Sequence, residues 1–127
     1  MVNQKTAVAL TGRSGEELEE YKKLLLKLNN EVVAAAPEDL LINTHVCRGN
    51  YHSTFFSSGA YDSVAELLFG EENVNAYYLE YDDERSGGFA PLAKVTGDKK
   101  VVLGLITTKT PELEDREKVI NRIHQAA

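Results

Sequence analysis

The sequence predicts an α/β fold made of parallel βα units. Three observations carry that prediction. Apolar runs of strand length begin near Leu40, Val74 and Lys100. Apolar residues between and around these runs recur at helical spacing. Helix and strand patterns then alternate along the chain, and such alternation joins parallel strands through right-handed crossovers. A length of 127 residues fits one domain, residues 1–127.

In chain order, Lys5 to Leu10 is a short apolar run before the turn Thr11-Gly12-Arg13-Ser14, read as a strand stub or a loop. Ser14 and Glu17 have the spacing of a capping box. Leu18, Tyr21, Leu25, Leu28 and Val32 then predict a helix from about Gly15 to Ala35, stopped by Pro37. Leu40 to Val46 reads as a buried strand broken by Arg48-Gly49-Asn50. A loop rich in Ser, Gly and aromatics follows, from Tyr51 to Gly59. Tyr61 to Phe69 predicts a short helix ending at Gly70. Val74 to Tyr81 is the second strand and Lys100 to Thr107 the third. Thr110-Pro111-Glu112 predicts the start of a last helix, with Leu113, Val119, Ile120 and Ile123 as its apolar stripe. Three strands are few for a parallel sheet, which is normally covered on both faces. The chain therefore reads as a piece of a larger α/β architecture, or as one that hides its sheet edges in a homo-oligomer.

Composition excludes several functions. Hydrophobic residues are 43 % and charged residues 27 %, ordinary for a soluble globular chain. No apolar run approaches the roughly 18 residues of a membrane span, and Met1 to Ala7 lack a signal-peptide core. A net charge of −6 argues against binding nucleic acid or a membrane surface by charge. The lone Cys47 excludes an internal disulfide and fits a reducing, cytoplasmic setting.

Ligands of parallel α/β sheets gather at the carboxyl ends of the strands. His45 and Cys47 stand two apart on the first strand, so both point to one face. Glu80 ends the second strand. An imidazole, a thiolate and a carboxylate are zinc ligands in type, and neighbouring strand ends bring such groups within reach of one ion. Packing alone is the other reading of the same residues: Cys47 as a small buried hydrophobe and His45 as a hydrogen-bonded core histidine. A phosphatase loop does not fit, because Arg48 follows Cys47 directly, and two residues apart on one strand is poor geometry for a Cys–His nucleophile pair. Arg48-Gly49-Asn50 is a turn or a weak anion site. Asp82, Asp83 and Glu84 are a solvated loop or partners for Arg85. Alternation puts Tyr77, Leu79 and Tyr81 on one side of their strand, and Tyr78 with Glu80 on the other. His52 and His124 have no clear partner.

Three segments together resemble the cobalamin-independent methionine synthase family, above all its short, single-barrel members. They are His45-Val46-Cys47-Arg48-Gly49-Asn50, Leu79-Glu80-Tyr81-Asp82 with Arg85-Ser86-Gly87, and Leu103-Gly104-Leu105-Ile106-Thr107-Thr108-Lys109. The resemblance runs from about Glu20 to the last residue. It implies a partial (β/α)₈ barrel of the methionine-synthase and uroporphyrinogen-decarboxylase type, with residues 1–127 as the carboxy-terminal portion of the catalytic barrel. It also implies methyl transfer from a methyltetrahydrofolate-type donor to the thiol of homocysteine, giving methionine, with zinc as cofactor. His45, Cys47 and Glu80 occupy three of the family's zinc-ligand places. Asp82 or Asp83 would support a ligand or take the homocysteine ammonium. The family's fourth ligand, a second cysteine, has no counterpart here, and Thr107-Thr108-Lys109 stands where larger synthases carry a proton-donating histidine. An isolated chain of this kind is expected to turn over little. A small non-catalytic binding or scaffold domain without metal, or a thiol enzyme using Cys47, are the alternatives.

Overall fold

The computed structural model describes residues 4–127. The expectation of no export signal in Met1–Ala7 therefore falls partly on residues outside the described ones. The element order is α1 (Gln4–Thr11), α2 (Gly15–Ala34), β1 (Asn43–Val46), β2 (Ala76–Glu80), β3 (Lys100–Gly104) and α3 (Arg116–Ala126). A 3₁₀ turn (Tyr61–Ser63) and a π-helical segment (Glu66–Glu71) connect β1 to β2, and two more 3₁₀ turns (Glu84–Ser86, Ala90–Lys94) connect β2 to β3.

The strands form one parallel sheet in the order β1-β2-β3. This corrects the expected partial (β/α)₈ barrel to a small open three-stranded sheet. A barrel closes only when its first and last strands pair, and here β1 and β3 each pair with β2 alone, so the sheet is open. The register puts His45 beside Tyr78 and Tyr78 beside Val102, and Glu80 beside Gly104. Asn75 fixes the strand starts: its side chain accepts from Ile42 N–H (2.7 Å) and its own N–H donates to Ile42 C=O (2.8 Å).

One sheet face carries the core. Tyr77, Leu79 and Tyr81 point into it as alternation predicts, and they pack with Tyr61, Val64, Ala65, Phe69 and Val74. Aromatic rings dominate there, with Tyr61–Tyr81 and Tyr81–Phe89 centroids 5.0 and 4.9 Å apart. Helix α2 covers this side through Val33, while its Leu18 is buried outside this cluster. Asn30 pins it: its amide donates to Glu71 C=O at 2.9 Å and its carbonyl accepts from Asn73 N–H at 2.8 Å.

Several elements differ from their sequence expectation. Lys5–Leu10 lies inside helix α1 rather than in a strand or loop. Ser14 stands at the start of α2, but its side chain makes no capping bond, so the capping box is not formed. Leu28 and Val32, assigned to the buried stripe of α2, are largely exposed, because the helix is rotated to present Leu26 and Val33 instead. The last helix starts at Arg116 rather than near Pro111; Asp115 caps it by accepting from Lys118 N–H at 2.9 Å.

Candidate functional site

Among the described residues, the second sheet face carries no buried hydrophobic cluster. Along it, His45, Tyr78 and Val102 form one row, and Glu80 and Gly104 the next, with Cys47 just beyond β1. Together with Asn50, Asp82, Ile106, Thr108 and Lys109 they line a cavity of about 320 Å³ at the carboxyl end of the sheet. Gly104 keeps its floor open, since a side chain there would press on Leu79 C=O, 3.3 Å from the added carbon. Cys47 is a free, exposed thiol. The three residues named as ligands thus share one cavity.

Glu80 is fixed more firmly than its neighbours. Its Oε2 accepts from Arg48 N–H at 2.5 Å. Arg48 itself is 1 % exposed. Its guanidinium donates to Gly59 C=O through Nε (2.9 Å) and Nη2 (2.5 Å), and to Glu80 C=O through Nη1 (3.0 Å). It also lies over the Tyr61 ring, 4.6 Å from its centroid. Tyr61 completes the bracket: its hydroxyl donates to Glu80 C=O (3.1 Å) and accepts from Glu80 N–H (3.0 Å). Burial, the largest influence, pushes the Tyr61 phenol up despite the nearby Arg48. Gly49 turns the chain away from the strand with φ +95°, and a Cβ there would sit 2.9 Å from Phe56 N.

Glu80 Oε1 meets two cations, Lys109 Nζ at 3.2 Å and Arg85 Nη2 at 3.5 Å. Lys109 Nζ lies 2.7 Å from Asp82 Oδ2. Burial would raise the Asp82 carboxyl, but hydrogen bonds from Lys109 and Thr107 and the charge of Arg85 outweigh it and leave the group below the ordinary range. Burial likewise works against the Lys109 ammonium, and the Asp82 and Glu80 carboxylates raise it above its usual value.

The expected site residues divide accordingly. His45, Cys47, Glu80 and Asp82 line the cavity. Asp83 does not: it caps the turn at Glu84–Ser86, accepting from Arg85 N–H at 2.9 Å, and pairs with the Arg85 side chain at 2.5 Å. Asp83 faces a larger cleft of about 800 Å³ lined also by Phe89 and Arg122. Among the described residues, no group of three His, Cys, Asp or Glu side chains comes close enough together to hold a metal ion. The donor types suit zinc and they face one space, but Glu80 is already compensated by Lys109. Arg48 and Lys109 are the residues of this cavity's charge network that sequence reasoning did not assign. Arg48 read as part of a turn, and nothing in its neighbours marks it as buried. Lys109 does carry a signal, its place at the carboxyl end of the third strand.

The chain is similar to two proteins of Bacillus subtilis (strain 168), the uncharacterized proteins YxjG and YxjH. It is 44 % identical to YxjG and 47 % identical to YxjH, in each case over 114 residues. Those residues are 89 % of this chain and 30 % of either relative, so the chain spans about a third of the length of the curated relatives it matches. No family model and no solved structure matches. Among the described residues, no helix is long and apolar enough to cross a membrane.

Proposed function

We propose that this chain carries the thiol-activating zinc site of a methyltransferase. The reaction moves a methyl group from a methyltetrahydrofolate-type donor to the sulfur of homocysteine, giving methionine, in the reducing cytoplasm where a lone thiol stays free. The observation that supports this reading most is that His45, Cys47 and Glu80 line one cavity at the carboxyl end of a parallel sheet, although their side chains do not stand close enough together to hold an ion as they are. The motif resemblance to cobalamin-independent methionine synthases supports it independently.

Zinc, when bound, supplies a Lewis acid that lowers a thiol pKa and makes the sulfur nucleophile available at neutral pH. The chain's own residues would do the holding. Cys47 would offer its sulfur and His45 an imidazole nitrogen, both on one face because they are two apart on an extended strand. Glu80 brings a carboxylate whose Oε2 is already set by Arg48 N–H, the kind of outer contact that orients a ligand. Asp82 lies on the cavity wall with its Oδ2 bonded to Lys109 Nζ, so a substrate ammonium would take it in competition with that lysine.

One observation favours a second reading, a small α/β scaffold without metal: Glu80 is paired with Lys109 and Arg85. Metal analysis of untagged protein separates the two. The methyltransferase reading expects about one zinc per wild-type chain and loss of zinc in Cys47→Ser. Equal zinc in both proteins, or none in either, supports the scaffold.

A further inference from the structure

On the core side of the sheet, away from the cavity of His45, a crevice of about 180 Å³ runs between α2 and the connection from β1 to β2. Its walls are apolar, with Leu25 and Leu26 of α2 on one side and Val64, Leu67 and Leu68 on the other. Its two ends are charged. Lys22 stands at one, where its Nζ bonds Ser63 C=O at 3.3 Å and pairs with Glu19 Oε1 at 2.7 Å. Glu72 closes the other, beside Asn29, about two turns further along α2. The ends differ in how well they are met. Lys22 has a carboxylate and a carbonyl. Glu72 is 2 % exposed. Its Oε1 accepts one long bond, from the Asn29 amide at 3.5 Å, and its buried Oε2 accepts none. Thr44 and Asn29 help the carboxylate less than burial opposes it, and Lys99 acts by charge alone. The Lys99 Nζ is spent on Phe69 C=O and the Thr96 hydroxyl, each at 3.1 Å. A buried carboxylate short of donors is a cost to the fold, and in a cleft it marks a candidate binding site.

We propose that this crevice binds a short aliphatic primary amine, its ammonium on Glu72 and its chain against Leu25, Leu26, Leu67 and Leu68. The ammonium supplies the donors that Glu72 Oε2 lacks, and a charge-assisted bond is the stronger for being away from water. The aliphatic chain takes the apolar walls out of water. The space is that of about six water molecules and suits a chain of about four carbons. A metal ion does not fit the same end, since among the described residues no three His, Cys, Asp or Glu side chains gather to hold one. The amine site is separate from the His45 cavity and stands or falls without it.

The test is a methyl NMR titration of the full chain with n-butylammonium chloride and with n-butanol, its neutral isostere, at constant ionic strength, on wild type, Glu72→Gln and Leu26→Phe. In wild type the methyls of Val64, Leu67 and Leu68 are expected to shift saturably. Butylammonium should bind roughly tenfold more tightly than butanol, the scale of one charge-assisted contact. Glu72→Gln removes a buried charge and keeps the shape, so it should bind both probes with the butanol affinity. Leu26→Phe fills the crevice and should lose both; binding retained there places the amine elsewhere and overturns the proposal. The comparison of the two probes on wild type needs no variant, so it decides the matter even where a variant fails to fold. Equal affinity for the two probes in wild type, shifts that do not saturate, or a preference for the ammonium that persists in Glu72→Gln would overturn the amine site and leave the crevice to water.

Discussion

Arg48 decides how the two strand ends meet. A guanidinium removed from water needs its donors filled, and it fills them with the carbonyls of Gly59 and Glu80 while its own N–H holds Glu80 Oε2. Arg48→Ala takes both donors from Gly59 C=O and leaves Glu80 C=O with the Tyr61 hydroxyl, and should cost about 3 kcal/mol of folding stability. Arg48→Lys should recover little, because an ammonium cannot reproduce the fork. Urea melts of both variants check this; a loss below about 1 kcal/mol in Arg48→Ala would mean that water replaces the guanidinium. Glu72 makes a different prediction. Burial pushes its carboxyl above the ordinary range, against weaker opposing pulls from Thr44, Asn29 and Lys99. An acid whose pKa rises on folding imposes no cost below its unfolded pKa and its full cost above its folded pKa. Glu72→Gln should therefore equal wild type in acid and gain stability over it as pH rises through that window. Thermal melts from roughly pH 4 to pH 7 test the sign; a difference independent of pH would contradict it.

At the scale of elements, helix ends and helix faces behave differently from strands. Asp115 makes a real cap and Ser14 does not. Asp115→Ala should cost about 1 kcal/mol of α3 stability, and Ser14→Ala close to nothing. Hydrogen exchange at the Lys118 amide and the overall melt report the two. Equal effects would mean that cap geometry does not set these ends. The three strands were legible because period-two alternation has only two faces to choose between. Tyr77, Leu79 and Tyr81 therefore fell on the core side, and His45 with Glu80 on the cavity side. The rotation of α2 was not legible, because Leu24, Leu25, Leu26 and Leu28 offer two overlapping apolar stripes and tertiary packing selects one. The end of the first strand misled for a related reason: Arg48 follows it in sequence like a turn residue, yet the chain folds back so that Phe56 N–H and Ser57 N–H both bond Arg48 C=O, which encloses the side chain. Asp83 was assigned to substrate, but an acid directly before a short turn is taken by the turn's own N–H groups.

For the whole molecule, the main fact is an open parallel sheet with one bare face. Tyr78 is 45 % exposed and Ile106 58 %, although parallel sheets are ordinarily covered on both sides. Exposed Leu24, Leu28 and Val32 add a second apolar surface on α2. Self-association of this chain is the expected consequence, and light scattering over a concentration series should show mass rising above 14.1 kDa; a constant monomer mass would refute it. The same bare face is where His45, Cys47 and Glu80 stand. Whether they act as one ligand set is the question on which the functional account turns. X-ray absorption at the zinc edge of the loaded protein addresses it most directly. The account predicts one sulfur at about 2.3 Å with nitrogen and oxygen near 2.0–2.2 Å, the sulfur vanishing in Cys47→Ser and the shell losing a nitrogen in His45→Ala. A zinc shell without sulfur, or one unchanged in both variants, would contradict it.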